Sequence, residues 1–315
     1  MPVTHTVGPP ARLPQEPIVT DPSPSTSAST PDLAVGVVGC GLMGSGIAEV
    51  CARAGLTTTV VESTAEQAAA GRDRIAHSLD RAVKAGKLDH DGRDLALDLL
   101  TVTDDMEALS GAGLVVEAVA EVEDLKVDVF RRLDGIVASP DAILASNTSS
   151  IPIMKLAMAT ERPGSVVGIH FFNPVPVLAL VELVPSLLTA EATLESARHF
   201  AEDVLGKKAI LCQDRAGFVV NALLVPYILS AVRMMESGFA TADDIDSGMV
   251  LGCAHPMGPL RLADLIGLDT VLAIADSLYE EFKEPLYAAP PLLSRMADAG
   301  LLGRKSGRGF YAYRA

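Results

Sequence analysis

No run in this sequence reaches the ~20 apolar residues that a membrane-spanning helix needs. The nearest, Phe218–Val232, is shorter and holds Asn221 and Pro226. Positive charge is scarce as well: 25 Lys and Arg stand against 40 Asp and Glu, a net charge of −15. That balance excludes a general affinity for nucleic acid or an anionic membrane. Any anionic ligand must then be held by local dipoles and a few placed cations. Cysteine is sparse too. Cys40, Cys51, Cys212 and Cys253 are scattered without CxxC spacing, so they read as small buried hydrophobes in a reducing compartment. A cytoplasmic location is expected. No His, Asp or Glu grouping has metal-ligand spacing, and no metal is expected.

The first 31 residues are rich in Pro, Ser and Thr and lack an apolar stretch, which reads as a disordered tail rather than a signal peptide. Beyond it, Leu33–Val38 is a short apolar strand running into a glycine turn. A helix over Leu42–Ala54 and a strand at Thr58–Val61 follow, the strand–helix–strand unit of a parallel sheet. Helical spacing continues over Ala65–Ala85, Asp91–Leu100 and Asp124–Val137. Buried parallel strands are predicted at Leu114–Val119, Ile143–Ala145 and Val166–Ile169. Val177–Val184 and Ala209–Cys212 read as added edge strands around a helix at Ala192–Leu205. After Gln213 the pattern is helical, with segments at Phe218–Met235, Asp243–Val250, Leu260–Leu265, Thr270–Phe282 and Pro291–Ala299. Phe218–Met235 is apolar on nearly every face, which predicts burial on all sides. The expected fold is α/β: a doubly wound, Rossmann-like parallel sheet over residues 32–213, then an all-helical domain over 214–315.

Gly39-Cys-Gly-Leu-Met-Gly44 is a GxGxxG placed between a strand and a helix. Gly39 permits the tight turn, Gly41 lets a pyrophosphate approach the backbone, and Gly44 lets helix and strand pack closely. The helix start at Leu42 and Met43 offers free N–H groups and a partial positive charge to the phosphates, which suits an acidic protein. Glu62, at the end of the second strand, is placed to bind the ribose diol and to repel a 2′-phosphate. NAD is therefore expected rather than NADP.

His170 lies in Gly168-Ile-His-Phe-Phe-Asn-Pro, at the carboxyl end of a predicted strand, where open α/β sheets bind ligands. Oxidising an alcohol by hydride transfer needs a base for the hydroxyl proton, and Glu182 is a carboxylate able to orient it. From the residues alone, a structural histidine is as good a reading.

Further segments set this one in an order. They are Leu114-Val-Val-Glu-Ala-Val, Ala145-Ser-Asn-Thr-Ser-Ser, Gly217-Phe-Val-Val-Asn, His255-Pro-Met-Gly-Pro and Gly303-Arg-Lys-Ser-Gly-Arg-Gly-Phe-Tyr. Together with the glycine loop and His170-Phe-Phe-Asn-Pro-Val-Pro, they resemble the 3-hydroxyacyl-CoA dehydrogenase family over nearly everything after residue 32. The likeness is to its stand-alone bacterial 3-hydroxybutyryl-CoA dehydrogenases, since no hydratase domain is attached. The resemblance implies NAD-dependent oxidation of an (S)-3-hydroxyacyl-CoA by a homodimer. It implies His170 as general base, Glu182 as its partner, Ser149 on the substrate oxygen and Asn221 reaching in from the helical domain. It places Glu121, Lys126, Asn147, Ser149 and Asn173 around the nicotinamide. The acid after the second strand is commonly Asp in that family and is Glu62 here. Other readings are the same chemistry on an acyl-carrier-protein thioester or a sugar acid such as gulonate, or a crystallin-like NAD-binding structural protein. The coenzyme A phosphate contacts stay open, with Arg72 and Arg74 as candidates.

Overall fold

The computed structural model describes residues 33–313, so the expected tail at residues 1–31 lies outside the described residues. Eight strands form one sheet: β1 (Val35–Val38), β2 (Thr58–Val61), β3 (Leu100–Thr103), β4 (Leu114–Glu117), β5 (Ile143–Ser146), β6 (Val166–Phe171), β7 (Leu180–Pro185) and β8 (Lys208–Leu211). Their spatial order is β3-β2-β1-β4-β5-β6-β7-β8. The chain starts in the middle and winds outwards both ways, leaving its ligand crevice at the carboxyl ends beside β1 and β4. β1, β4, β5 and β6 are buried along their whole length, as central strands covered on both faces must be.

Helices α1 (Leu42–Arg53), α2 (Ala65–Lys84), α3 (His90–Asp98), α4 (Glu123–Ile136), α5 (Ile153–Ala157) and α6 (Glu191–His199) cover the sheet. α2 is capped by the Thr64 side chain, which accepts the Gln67 N–H at 3.2 Å. α1 begins at Gly41 with no side-chain cap, so its first amides stay available.

The structure corrects the sequence expectations in several places. β7 runs antiparallel to β6, and β8 lies outside it, so β7 is not an edge strand. The helix expected over Asp91–Leu100 stops at Asp98, because Leu100-Thr-Val-Thr turns into the edge strand β3. α5 was not expected; five residues are too few for a helical period. It starts on a distant acceptor, Asp214, whose two oxygens take the Ile153 and Met154 N–H groups at 2.7 and 2.9 Å. Cys253 is exposed at the end of its helix, unlike the other three cysteines.

The helical half comprises α7 (Val220–Glu236), α8 (Ala242–Cys253), α9 (Pro259–Ile266), α10 (Leu268–Phe282) and α11 (Pro291–Asp298). Ile228, Leu229, Val232, Leu260, Val271 and Leu278 form its core. α7 is not buried on every side within the chain: Leu223 is 72% exposed and Met234 is also open. The C-terminal Gly-Phe-Tyr segment is fastened by two buried carboxylates. Asp264 accepts the Phe310 and Tyr311 N–H groups and the Tyr313 hydroxyl, at 2.9–3.0 Å. Asp246 accepts the Leu260 and Arg261 N–H groups and the Tyr311 hydroxyl. In the basic turn after Gly303, Lys305 Nζ pairs with Asp269 Oδ2 at 2.7 Å. Among the described residues, no helix is long and apolar enough to cross a membrane.

Candidate active site

The glycine loop separates three kinds of need for glycine. Gly39 has φ 91°, and a Cβ there would come within 2.8 Å of the Ala118 carbonyl oxygen. A Cβ on Gly44 would lie 1.8 Å from the Gly39 carbonyl oxygen. At Gly41 a Cβ would meet nothing within 4 Å, so the chain's own packing does not demand glycine there. The space it leaves suits a close approach by a pyrophosphate. Glu62 stands across the loop and accepts the Cys40 N–H at 2.6 Å and the Ser63 N–H at 3.1 Å. A cavity of about 470 Å³ runs past Gly39, Gly41, Glu62, Asp104 and Ala118, with Arg132 on its lining. Leu42 is exposed beside it, and Met43 lines the next cleft. These residues fit a dinucleotide.

That second cleft, about 570 Å³, has Met43, Glu121, Asn147 and Ser149 on the sheet side and Thr270 and Ser277 of α10 opposite. Ser149 Oγ lies 3.2 Å from His170 Nε2, and His170 Nδ1 lies 2.7 Å from Glu182 Oε2. The β6–β7 register makes the pair: His170 sits directly opposite Glu182. Twelve residues of separation become adjacency because the chain reverses between them. Glu182 is fully buried. Its other oxygen accepts the Val219 and Val220 N–H groups at 3.0 and 2.9 Å, at the start of α7. Burial raises the Glu182 carboxyl, but the His170 bond, the two amides and the imidazole charge outweigh it and leave the group below its ordinary value. Phe172 and Phe218 flank the imidazole, with ring centroids at 4.7 and 5.4 Å. Burial, then the charge of Glu182, pushes the nearby Cys212 thiol up to about 12, which keeps it protonated and inert.

A second network, reaching from buried Glu117 and Lys126 out to exposed Glu121, shapes the Ser149 loop. Glu121 Oε1 accepts the Thr148 hydroxyl at 2.5 Å and the Ser149 and Ser150 N–H groups at 2.8 and 3.1 Å. Lys126, only 1% exposed, bridges Glu121 Oε2 at 3.2 Å and Glu117 Oε1 at 2.7 Å. It therefore lies behind Glu121 rather than on the cleft surface. Glu117, fully buried at the end of β4, also accepts the Ser146 hydroxyl at 2.6 Å. Burial raises the Glu121 carboxyl, but Lys126, Thr148 and the Ser149 amide overcome it and lower it. Asn147 Oδ1 accepts the Phe171 N–H at 2.8 Å, tying the loop to β6.

Two expected residues stand apart. Asn173, after the strand, is exposed; Asn221, in the first turn of α7, is half-buried. No side-chain hydrogen bond of either is found among the described residues. Glu117, Phe172, Phe218 and the α10 wall were not expected. Only Glu117 had a signal, a carboxylate closing the otherwise apolar run Leu-Val-Val. His255 packs on Tyr227, its Nδ1 3.2 Å from the hydroxyl. No metal-binding cluster occurs among the described residues.

The NAD binding domain of 3-hydroxyacyl-CoA dehydrogenase matches residues 34–215, and the C-terminal domain of that enzyme matches residues 217–313. The chain belongs to the 3-hydroxyacyl-CoA dehydrogenase family. It is 62% identical over 279 residues to a 3-hydroxybutyryl-CoA dehydrogenase of Mycobacterium tuberculosis, covering 89% of this chain and 98% of the relative. The crystal structure of FadB2 from that organism matches with a TM-score of 0.88 at 61% identity, over 89% of this chain and 99% of that one. The (S)-3-hydroxybutyryl-CoA dehydrogenase of Ralstonia eutropha matches with a TM-score of 0.85 at 45% identity, over 90% and 99% of the two chains. NAD is the cofactor of this NAD-dependent oxidoreductase. The carrier-protein, gulonate and crystallin-like readings are not favoured by these relatives.

Replacing Glu62 by Thr removes the carboxylate that faces a 2′-phosphate and leaves Arg132 on the cavity lining. The ratio of kcat/KM for NAD over NADP should fall by at least about ten-fold in this variant, the scale of one lost charge interaction. An unchanged ratio would show that Glu62 does not contact the ribose.

Proposed function

We propose that this chain interconverts an (S)-3-hydroxyacyl-CoA, 3-hydroxybutyryl-CoA foremost, and the 3-oxoacyl-CoA, with NAD accepting the hydride. The observation that carries this is the line Ser149 Oγ–His170–Glu182, which leads from the cleft to a buried carboxylate at 3.2 and 2.7 Å. In oxidation C3 of the substrate gives up a hydride, and neutral His170 takes the hydroxyl proton at Nε2. Glu182 holds the Nδ1–H tautomer and stabilises the imidazolium that forms. Ser149 hydrogen-bonds the substrate oxygen as it becomes a carbonyl, and in reverse the imidazolium and Ser149 polarise the ketone. Asn221 enters from α7 to meet the thioester end. Glu121, with Lys126 and Glu117 behind it, and Asn147 hold the loop against which the nicotinamide packs; Asn173 closes that side. The sheet half, residues 32–213, carries the cofactor, and residues 214–315 close the cleft.

Coenzyme A needs cations, and Arg72 and Arg74 are each already bonded to a backbone carbonyl. Arg74 donates to the Cys40 carbonyl and Arg72 to the Leu100 carbonyl. A cavity of about 260 Å³ is lined instead by Arg53, which pairs with Glu49 at 3.3 Å, and by Ser78, Arg81 and Lys87, with Pro174 and Pro176 of the loop that leaves β6. In a protein of net charge −15, this local concentration of positive charge suits the phosphates.

The enzyme works in the cytoplasm as a homodimer joined through the helical half. Leu223 and Leu251, 72% and 84% exposed, are large apolar side chains that a second copy would cover. Light scattering at micromolar concentration should give about twice the chain mass; the mass of one chain would refute the dimer.

His170→Ala should lower turnover of acetoacetyl-CoA with NADH by about 10²–10⁴ with NADH affinity nearly unchanged, as for a lost general acid–base group. Near-normal turnover in the folded variant would remove His170 from the chemistry. Faster turnover of the carrier-protein ester or of gulonate by the unmodified enzyme would instead overturn the substrate.

A further inference from the structure

The turn that opens the helical half is built against the preference of one of its residues. Gly217 and Phe218 both have left-handed backbones, with φ 75° and 49°. Glycine adopts this freely; phenylalanine does not, because its Cβ crowds the following carbonyl. Such residues persist where their surroundings over-determine them, and they gather at functional sites. Two contacts do so here. The Phe218 ring, 8% exposed, meets the His170 imidazole at 5.4 Å with the planes inclined by 62°. Immediately after it, Val219 and Val220 turn their N–H groups onto Glu182 Oε1. One residue thus touches the base with its side chain and sets the direction of the amides that hold the carboxylate.

A glycine at 218 would make the same turn without strain, so the turn alone does not account for an aromatic residue. What the ring adds is a second wall. With Phe172 at 4.7 Å on the imidazole, the two rings fix its plane, keeping Nδ1 on Glu182 and Nε2 on Ser149. Both bonds are directional, and a tilt of the imidazole weakens them together. A base displaced by a fraction of an ångström loses much of its effectiveness.

We propose that Phe218 is a positioning residue for the His170–Glu182 pair, seating the imidazole with its ring and, through its left-handed backbone, handing Glu182 the two amide donors of α7. The proposal rests on the reading of that pair as the catalytic base and its partner.

Phe218→Gly keeps the turn and removes the ring; Phe218→Ala removes the ring and keeps the strained backbone. In folded enzyme, kcat of the glycine variant should fall by about ten-fold or more while KM for NAD stays within about two-fold. The alanine variant should lose at least as much turnover and melt at a lower temperature than the glycine variant. In a Glu182→Gln background, Phe218→Gly should cost clearly less than in the unmodified enzyme, because both changes act on one imidazole. A purely structural phenylalanine would lower the melting temperature and leave kcat of the folded protein intact. That result, equal fold-losses in both backgrounds, or a glycine variant melting no higher than the alanine one would overturn the proposal. Failure of the underlying reading looks different: His170→Ala would keep its turnover whatever stands at 218.

Discussion

A carboxylate with no solvent contact must be neutral or surrounded by donors, and Glu182 is surrounded. One oxygen takes the imidazole of His170, the other takes two amides at the start of α7. A buried charge left without partners is strongly unfavourable, so sheet, turn and helix are bound to one geometry by a single side chain. The sheet contributes His170 through the β6–β7 register, and the helical half contributes two of the donors around Glu182. Cleft formation and catalytic pairing therefore depend on the same four hydrogen-bonding groups.

The remainder of the site follows the same economy of charge. An acidic chain binds an anionic cofactor with little cationic side-chain help, using the Gly41 backbone and the uncapped start of α1. Where it does bury a lysine, Lys126, it closes the charge between Glu117 and Glu121 and uses the second of these to hold the Ser149 loop. The two networks meet at Ser149, whose amide belongs to one and whose hydroxyl touches the other.

The parts legible in the sequence were those with local signatures. Gly39, Gly41 and Gly44 between an apolar strand and a helix are read from spacing, and Glu62 from its place at the end of β2. His170 was legible as a histidine ending a buried strand, but a chemical role for it came from the order of motifs, not from the residue. The pairing with Glu182 came with that order of motifs as well; no local pattern announces it, because the antiparallel return of β7 depends on a proline-rich loop at Asn173–Val177 that has no periodicity. β3 was missed because a four-residue, half-polar edge strand follows a helix without a break. The partners of Glu182 on α7 are backbone amides, which no side-chain pattern announces. The apolar circumference of α7 was visible, yet the sequence did not say that part of it faces outwards from the chain.

The pH dependence of kcat/KM for alcohol oxidation reads directly the charge that Glu182 keeps beside His170. If His170 is the base, it must start neutral, so efficiency should rise with pH. A negative charge hydrogen-bonded to an imidazole favours its protonated form. The folded-state pKa of Glu182 lies below its ordinary value, so the carboxylate is ionised throughout that rise. Glu182→Gln removes the charge while keeping the shape. The rising limb should move to lower pH, and the plateau should fall because the imidazolium formed in the transition state loses its counter-charge. A limb that stays in place with the plateau unchanged would show that the pair is a structural contact and that the base lies elsewhere.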